Sequence, residues 1–245
     1  MRLISLAQDI VNRIIAPLDI RVVRRTAMGN DLIANVRRLL GGPPSLIFDV
    51  GANVGQTFAS FRAAWPAAKI VCFEPSPQTF RRLSARTDMD PLAEAHRLAL
   101  SDVDGELSFR EFSESTANSL LEPTFDEASP EWVKRSTVTQ VQSRTLDGWC
   151  ADSGYSAIDL LKIDTQGADR RVLAGAPKLL ASGVVRLVYF EVLFASHYKG
   201  QGDFAACHTL LAEHGYRFVD FYEKVRDLDH AITYCNALYG YIPTP

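Results

Sequence analysis

Strand-length apolar runs alternate with helical stretches along this chain, and that alternation limits it to very few architectures. "SLIFDV" (45–50) passes through a Gly-rich turn into "QTFASFRAAW" (56–65), a helix closed by Pro66. "KIVCFE" (69–74) leads into "SPQTFRRLSART" (76–87), with Ser76 as cap and Pro77 at the first helical position. "EAHRLAL" (94–100) reads as a third strand, and the alternating "GELSFREF" (105–112) as a fourth, at a sheet edge. After a break, alternation resumes in "STVTQVQSRTL" (136–146). The strand "AIDLLKID" (157–164) is followed by one helix over "ADRRVLAGAPKLLA" (168–181), and then by the near-continuously apolar "VVRLVYFEV" (184–192). Such a run suits an inner strand covered on both faces. The helix "DFAACHTLLAEHGY" precedes the strands "RFVDFY" (217–222) and "AITYCNALYGYI" (231–242). The pattern predicts an α/β fold with a doubly wound, mostly parallel sheet. The short polar link "EKVRDLDH" makes the last two strands a hairpin, so at least one runs antiparallel.

The chain has 245 residues, one α/β domain plus an N-terminal extension. Residues 1–40 read as two helices around Pro17, the second, "NDLIANVRRLL", capped by Asn30 or Asp31. "GGPP" at 41–44 marks the start of the main domain, 41–245. The amphipathic N-terminal segment is too short in its apolar run to span a membrane or to be a secretion signal. It is expected to pack on the domain or on a second subunit, giving a homo-oligomer. A net charge of −3 supplies no footprint for nucleic acid. Cys72, Cys150, Cys207 and Cys235 show no metal or disulfide spacing, which fits reduced thiols in a cytoplasmic protein.

The turn "DVGANVG" carries the first chemical signal. A dinucleotide fingerprint needs a second glycine where its backbone meets the pyrophosphate, and Asn53 stands there. The spacing Asp49, Gly51, Gly55 instead fits D-x-G-x-x-x-G, a close turn beside a carboxylate. S-adenosylmethionine, cationic and without phosphate, suits that pattern. Glu74 ends the second strand about 20 residues beyond the turn, where an acid binds ribose hydroxyls. Ser101 and Asp102, ending "LALSD", stand where an adenine edge would be contacted.

Six segments in order, "IFDVGANVGQTFASF", "VCFEPSPQTFRRL", "ALSDVDGELSF", "RTLDGW", "LLKIDTQGADRRVLAGA" and "VYFEVLF", resemble those of FkbM-type methyltransferases, over about Leu46 to Tyr222. The resemblance implies a class I methyltransferase fold, a seven-stranded sheet with an antiparallel last strand. It implies S-adenosylmethionine as methyl donor and transfer to a hydroxyl of a sugar, glycan precursor or secondary metabolite. By the same resemblance Asp49, Gly51, Asn53 and Gly55 form the first donor loop, Glu74 takes the ribose, and Ser101 and Asp102 lie at the adenine end. Asp164 faces the methyl group, with Lys162 on the same face of its strand. Many members read "KIDVEGAE" where this chain has Gln166 and Asp169, so one acid is an amide and the other is a methylene shorter.

A hydroxyl acceptor must lose a proton, and Asp164, Glu191 and His197 are the candidate catalytic groups. Glu191 ends an apolar strand at the ligand edge of the sheet, and His197 follows in the next loop. A divalent cation between Asp164 and Glu191 is not favoured, since two carboxylates on different strands do not establish a metal site. The irregular segment 113–135 is expected to shape the acceptor pocket through Asn118, Ser119 and Trp132, beside Lys162. The alternatives are an NAD-dependent oxidoreductase, or a non-catalytic S-adenosylmethionine-binding or assembly protein.

Overall fold

The computed structural model describes residues 10–16, 26–124 and 135–242. Its main sheet has seven strands in the order β3-β2-β1-β7-β8-β10-β9. In chain order these are β1 (Leu46–Val50), β2 (Lys69–Phe73), β3 (Ala93–His96), β7 (Ile158–Ile163), β8 (Val185–Leu193), β9 (Tyr216–Arg226) and β10 (Ile232–Tyr241). Only β10 runs against the others, pairing antiparallel with both β8 and β9. Central strands are covered on both faces, and the core divides accordingly. Phe48, Val50, Leu161, Ile163, Val188 and Phe190 form one layer, while Ile47, Ile70, Leu160, Leu187 and Leu238 form the other. Each such side chain contributes roughly 1.5–3 kcal/mol by leaving water.

The first layer is covered by α4 (Leu146–Ser153), α5 (Asp169–Ala174), α6 (Pro177–Ser182) and α7 (Phe204–Glu213). The second is covered by α1 (Leu32–Leu40), α2 (Gln56–Ala64) and α3 (Pro77–Thr87). Asp31 is the cap of α1, its carboxylate accepting from Ala34 N at 3.0 Å. Within the segment expected as an extension, α1 packs on the sheet through the fully buried Val36, and Asn35 Oδ1 accepts the Tyr222 hydroxyl at 2.7 Å. The expected break at Pro17 lies outside the described residues.

Three expected elements divide differently. "EAHRLAL" is two strands: β3 stays in the main sheet, while β4 (Ala99–Leu100) leaves it after a turn closed by Leu98 N donating to His96 O at 3.0 Å. β4 joins β5 (Gly105–Phe112) and β6 (Ser136–Arg144) in a second sheet, ordered β4-β6-β5. The edge character read in β5 therefore belongs to this small sheet. The single helix expected over 168–181 is α5 and α6, broken where a Cβ on Gly175 would stand 2.1 Å from Ser101 O. Pro177 then opens α6, having no N–H to lose. Finally, β9 runs on through half of the link read as a hairpin loop.

All four cysteines are buried free thiols. Among the described residues no helix is long and apolar enough to cross a membrane.

Candidate active site

At the C-terminal ends of β1, β2 and β7 lies a cavity of about 240 Å³, space for a small organic molecule, since one water needs only roughly 10–15 Å³. The turn after β1 forms its floor. Gly51 has φ 74°, and a Cβ on it would fall 1.9 Å from Asp164 O, so only glycine fits. Asn53 is left-handed at φ 50°, with N donating to Glu74 Oε2 at 3.0 Å and Oδ1 accepting the Ser115 hydroxyl at 2.9 Å. Gly55 does not line the cavity. Its φ of 85° begins α2, and its α-carbon faces Leu83 and Arg86 of α3.

Glu74 forms a wall. Its second oxygen accepts from Ser76 N at 2.9 Å, and burial still pushes its carboxyl up to about 7 against these two backbone donors. The lining also includes the apolar Leu98, Ala99, Leu100, Phe109 and Leu120. Ser101 and Asp102, expected at this end, do not reach the cavity. Ser101 is fully buried with its hydroxyl donating to Asp102 at 3.0 Å, and Asp102 lines a separate depression beside α4 and α6. The turn after β4 carries them past the cavity rim.

The acids at the far end form a connected group. Asp49 is wholly buried and Lys162 nearly so, with Nζ 2.9 Å from Asp49 Oδ1. Burial first, and then the Asp164 charge, raise Asp49 against the pull of Lys162, and burial by itself would lower Lys162. The Asp49 and Asp164 charges nonetheless hold the ammonium above its ordinary value. Lys162 is also 3.7 Å from Asp164, so the two share a face as expected. Asp164 is 37% exposed and lines the cavity. Gln166 Nε2 donates to Asp164 Oδ1 at 2.9 Å and to Glu191 Oε2 at 3.0 Å. Burial, then the charges of Asp164 and Asp169, push Glu191 well above the carboxylate range. Asp169 is pushed up to about 7, first by burial, although Thr165 Oγ1 donates to it at 3.0 Å. Among the described residues, no group of three or more His, Cys, Asp and Glu side chains could hold a metal ion.

His197 is not brought to this group. It is exposed, and its main chain binds Gln201 and Thr124. Its neighbour Tyr198 turns inward instead, the hydroxyl donating to Ala117 O at 2.9 Å. Asn118 lines the cavity with Oδ1 accepting from Phe112 N at 2.8 Å. Ser119 is buried outside it, its hydroxyl donating to Gln166 O at 2.7 Å. Trp132 lies outside the described residues. Sequence reasoning did not single out Ser115, Thr165 or Tyr198, for nothing in their spacing marks them. It treated Gln166 only as a lost acid.

Residues 49–218 match the Methyltransferase FkbM domain model, well over half of the chain. The chain is 31% identical to the 2-O-methyltransferase NoeI of Sinorhizobium fredii over 182 residues, 71% of this chain and 73% of that protein. It is 28% identical to the 31-O-demethyl-FK506 methyltransferase FkbM of Streptomyces tacrolimicus, over 54% of this chain and 60% of that one. Among solved structures, the METTL16 MTase domain overlays with a TM-score of 0.50 at 11% identity, covering 90% of this chain and 70% of its own, a likeness of fold. The chain belongs to the FkbM methyltransferase family.

Proposed function

We propose that this protein binds S-adenosylmethionine in the cavity beside Glu74 and methylates a hydroxyl oxygen of a sugar, glycan precursor or secondary metabolite. The observation that carries the reading is the buried Glu74 carboxylate, held by two backbone N–H groups in the wall of a cavity with an apolar side. The residues fit the donor: the bare Gly51 turn admits close approach, Glu74 accepts from ribose hydroxyls, and Leu98, Leu100 and Phe109 suit the faces of an adenine. When bound, the donor supplies a methyl group already activated on a sulfonium. Asp164, exposed at the cavity, would take the acceptor's proton, and Glu191 stands behind it. Lys162 and Asp49 fix the charge beneath them. Two relatives whose names place methyl transfer on oxygen support O-methylation here.

Against a dinucleotide, the Asn53 side chain is tied to Ser115 within the turn that a pyrophosphate would have to approach. Four buried thiols support a reducing, cytoplasmic setting. Calorimetry with S-adenosylhomocysteine and NADH tests the reading. The adenosyl ligand is expected to bind and NADH not to. Glu74→Gln should weaken binding at least about tenfold, the loss of charge-assisted hydrogen bonds. Ribose hydroxyls donate to the charged carboxylate, so wild-type affinity should rise as pH passes up through about 7, by up to about tenfold per unit below it. The Glu74→Gln profile should be flat. Binding of NADH alone would overturn the methyltransferase reading.

A further inference from the structure

α1 packs on the domain, but residues 10–15 leave an apolar face in water. They are helical, with Ile10 51%, Val11 42% and Ile14 71% exposed. A helix turns about 100° per residue, so Ile10, Ile14, Val11 and the half-buried Ile15 share an arc of about 140°. Arg13 is exposed about 60° beyond the edge of that arc. In the sequence, Leu3, Ile4 and Ala7 repeat the same apolar spacing. A contiguous apolar face left in water marks a contact made with something else.

Charge decides between the partners such a face could take. Residues 1–40 hold seven Arg and three Asp with no Lys, Glu or His, a formal net charge of +4, which leaves −7 of the chain's −3 on residues 41–245. Arg13, Arg37 and Arg38 are exposed and form no ion pair among the described residues. Arg37 and Arg38 close α1, whose last turn also exposes Leu39. A second copy meeting this face about a two-fold axis would set each basic segment against its own image, and like charges oppose that contact. A lipid surface, anionic at its headgroups and apolar beneath them, satisfies both features at once. It takes the isoleucines and valine at its acyl boundary and the arginines among its headgroups.

We infer that the helix at 10–15 is a docking face for an anionic lipid bilayer, lying in the plane of its surface. Ile10, Val11 and Ile14 enter the headgroup boundary, and Arg13 stays at the level of the headgroups, its stem along the apolar face. The inserted face is short, so the contact is reversible and leans on charge, which salt screens. It lies on the membrane and does not cross it: among the described residues no helix is long and apolar enough to do so. Such binding asks nothing of the cavity or of its ligand.

The test is flotation of the full chain with vesicles of phosphatidylcholine alone, and of phosphatidylcholine and phosphatidylglycerol in equal parts. Partition onto the anionic vesicles should be at least about tenfold higher than onto the neutral ones, and should fall as salt rises from about 0.1 to 0.5 M. Arg13→Gln should weaken it about fivefold, the effect of one arginine near such a surface. Ile10→Gln with Ile14→Gln should weaken it at least about tenfold. Leu228→Gln, at a side chain 98% exposed between β9 and β10, is the control and should leave it unchanged. No flotation with either vesicle, equal flotation with both, or flotation unmoved by the double variant would each overturn the inference. Thermal melts and sedimentation velocity of the free protein separate the other partners. A melting temperature lowered by the double variant would show the isoleucines packed on the domain, and a dimer dissolved by it would show a second copy on this face. Either result would also overturn lipid docking, whereas an unchanged melt of a monomer that floats only with anionic vesicles upholds it.

Discussion

Gly51 and Gly55 look alike in the sequence and differ in what a methyl group would meet. At Gly51 the new carbon falls 1.9 Å from Asp164 O, which is main chain and cannot rotate away. At Gly55 the nearest atoms are Leu83 Cδ1 at 3.1 Å and Arg86 Cδ at 3.3 Å, both on flexible side chains and not main chain. Gly51→Ala should therefore cost at least about 3 kcal/mol and abolish S-adenosylhomocysteine binding, because the end of β7 must move off the cavity floor. Gly55→Ala should cost only about 1–2 kcal/mol of backbone strain and leave binding measurable. Denaturant melts with calorimetry check both, and equal losses would refute the distinction. The carboxylates and the turn were legible because a charge ending an apolar run needs a reason to be there. Spacing could not show that Gly55 serves helix packing, that Ser101 turns away, or that Tyr198 and not His197 points inward. Those depend on loop geometry, which carries no period. Gln166 was legible as a departure, but its two acidic partners lie on different elements and meet only in the folded chain.

Strands buried on both faces announce themselves by composition, so β1, β2, β7 and β8 were readable from residues alone, and β10 by its hairpin. The second sheet was not. β4 has two residues, and its partner β6 lies beyond the irregular segment, so its pairing is entirely non-local. The short helices α5 and α6 read as one because their apolar period continues across the Gly175 contact. The described part of that irregular segment, 113–124, is stitched to its surroundings. Ser115 bonds Asn53, Tyr198 bonds Ala117 O, Ser119 bonds Gln166 O, and Thr124 bonds Ser196 O at 2.6 Å. Pro123 also bridges Tyr198. The segment is thus part of the cavity wall, held from the turn after β1 on one side and the loop after β8 on the other. Tyr198→Phe keeps the ring in its buried place and removes one tether. It should cost about 1 kcal/mol globally and raise amide hydrogen exchange at 115–124 more than in β1 or β7. Exchange raised uniformly across the protein would mean that the hydroxyl supports the core and not the wall.

At the scale of the whole molecule, the buried acids give stability an unusual dependence on pH. Glu74 and Asp169 are both pushed up to about 7 in the folded state by burial. An unfolded chain would release these protons near its ordinary carboxylate values, so between about 4.5 and 7 the folded form holds more protons. Stability from these groups is therefore fully present below the lower value and is lost as pH rises through about 7. Glu191 is raised in the same direction and extends the loss to higher pH. For Glu74 and Asp169 the effect is on the order of 3–4 kcal/mol each. The exposed Asp104 and Glu122 are shifted down by their cationic and backbone partners, so their contribution fades only on acidification. Together these signs place the most stable state of the free protein near about pH 5, with a melting temperature that falls toward pH 8. Glu74→Gln and Asp169→Asn should each flatten that fall, since neither replacement titrates. S-adenosylhomocysteine should do the opposite of a uniform stabiliser. If its ribose hydroxyls favour the charged Glu74, its stabilisation must be larger at pH 8 than at pH 6. A free protein whose melting temperature climbs steadily from pH 5 to 8 would show that the acids are solvated in the native state. If Glu74 holds the ribose, its burial beside the turn after β1 makes it both costly to the fold and useful to the ligand, and the two pH profiles must then move against each other.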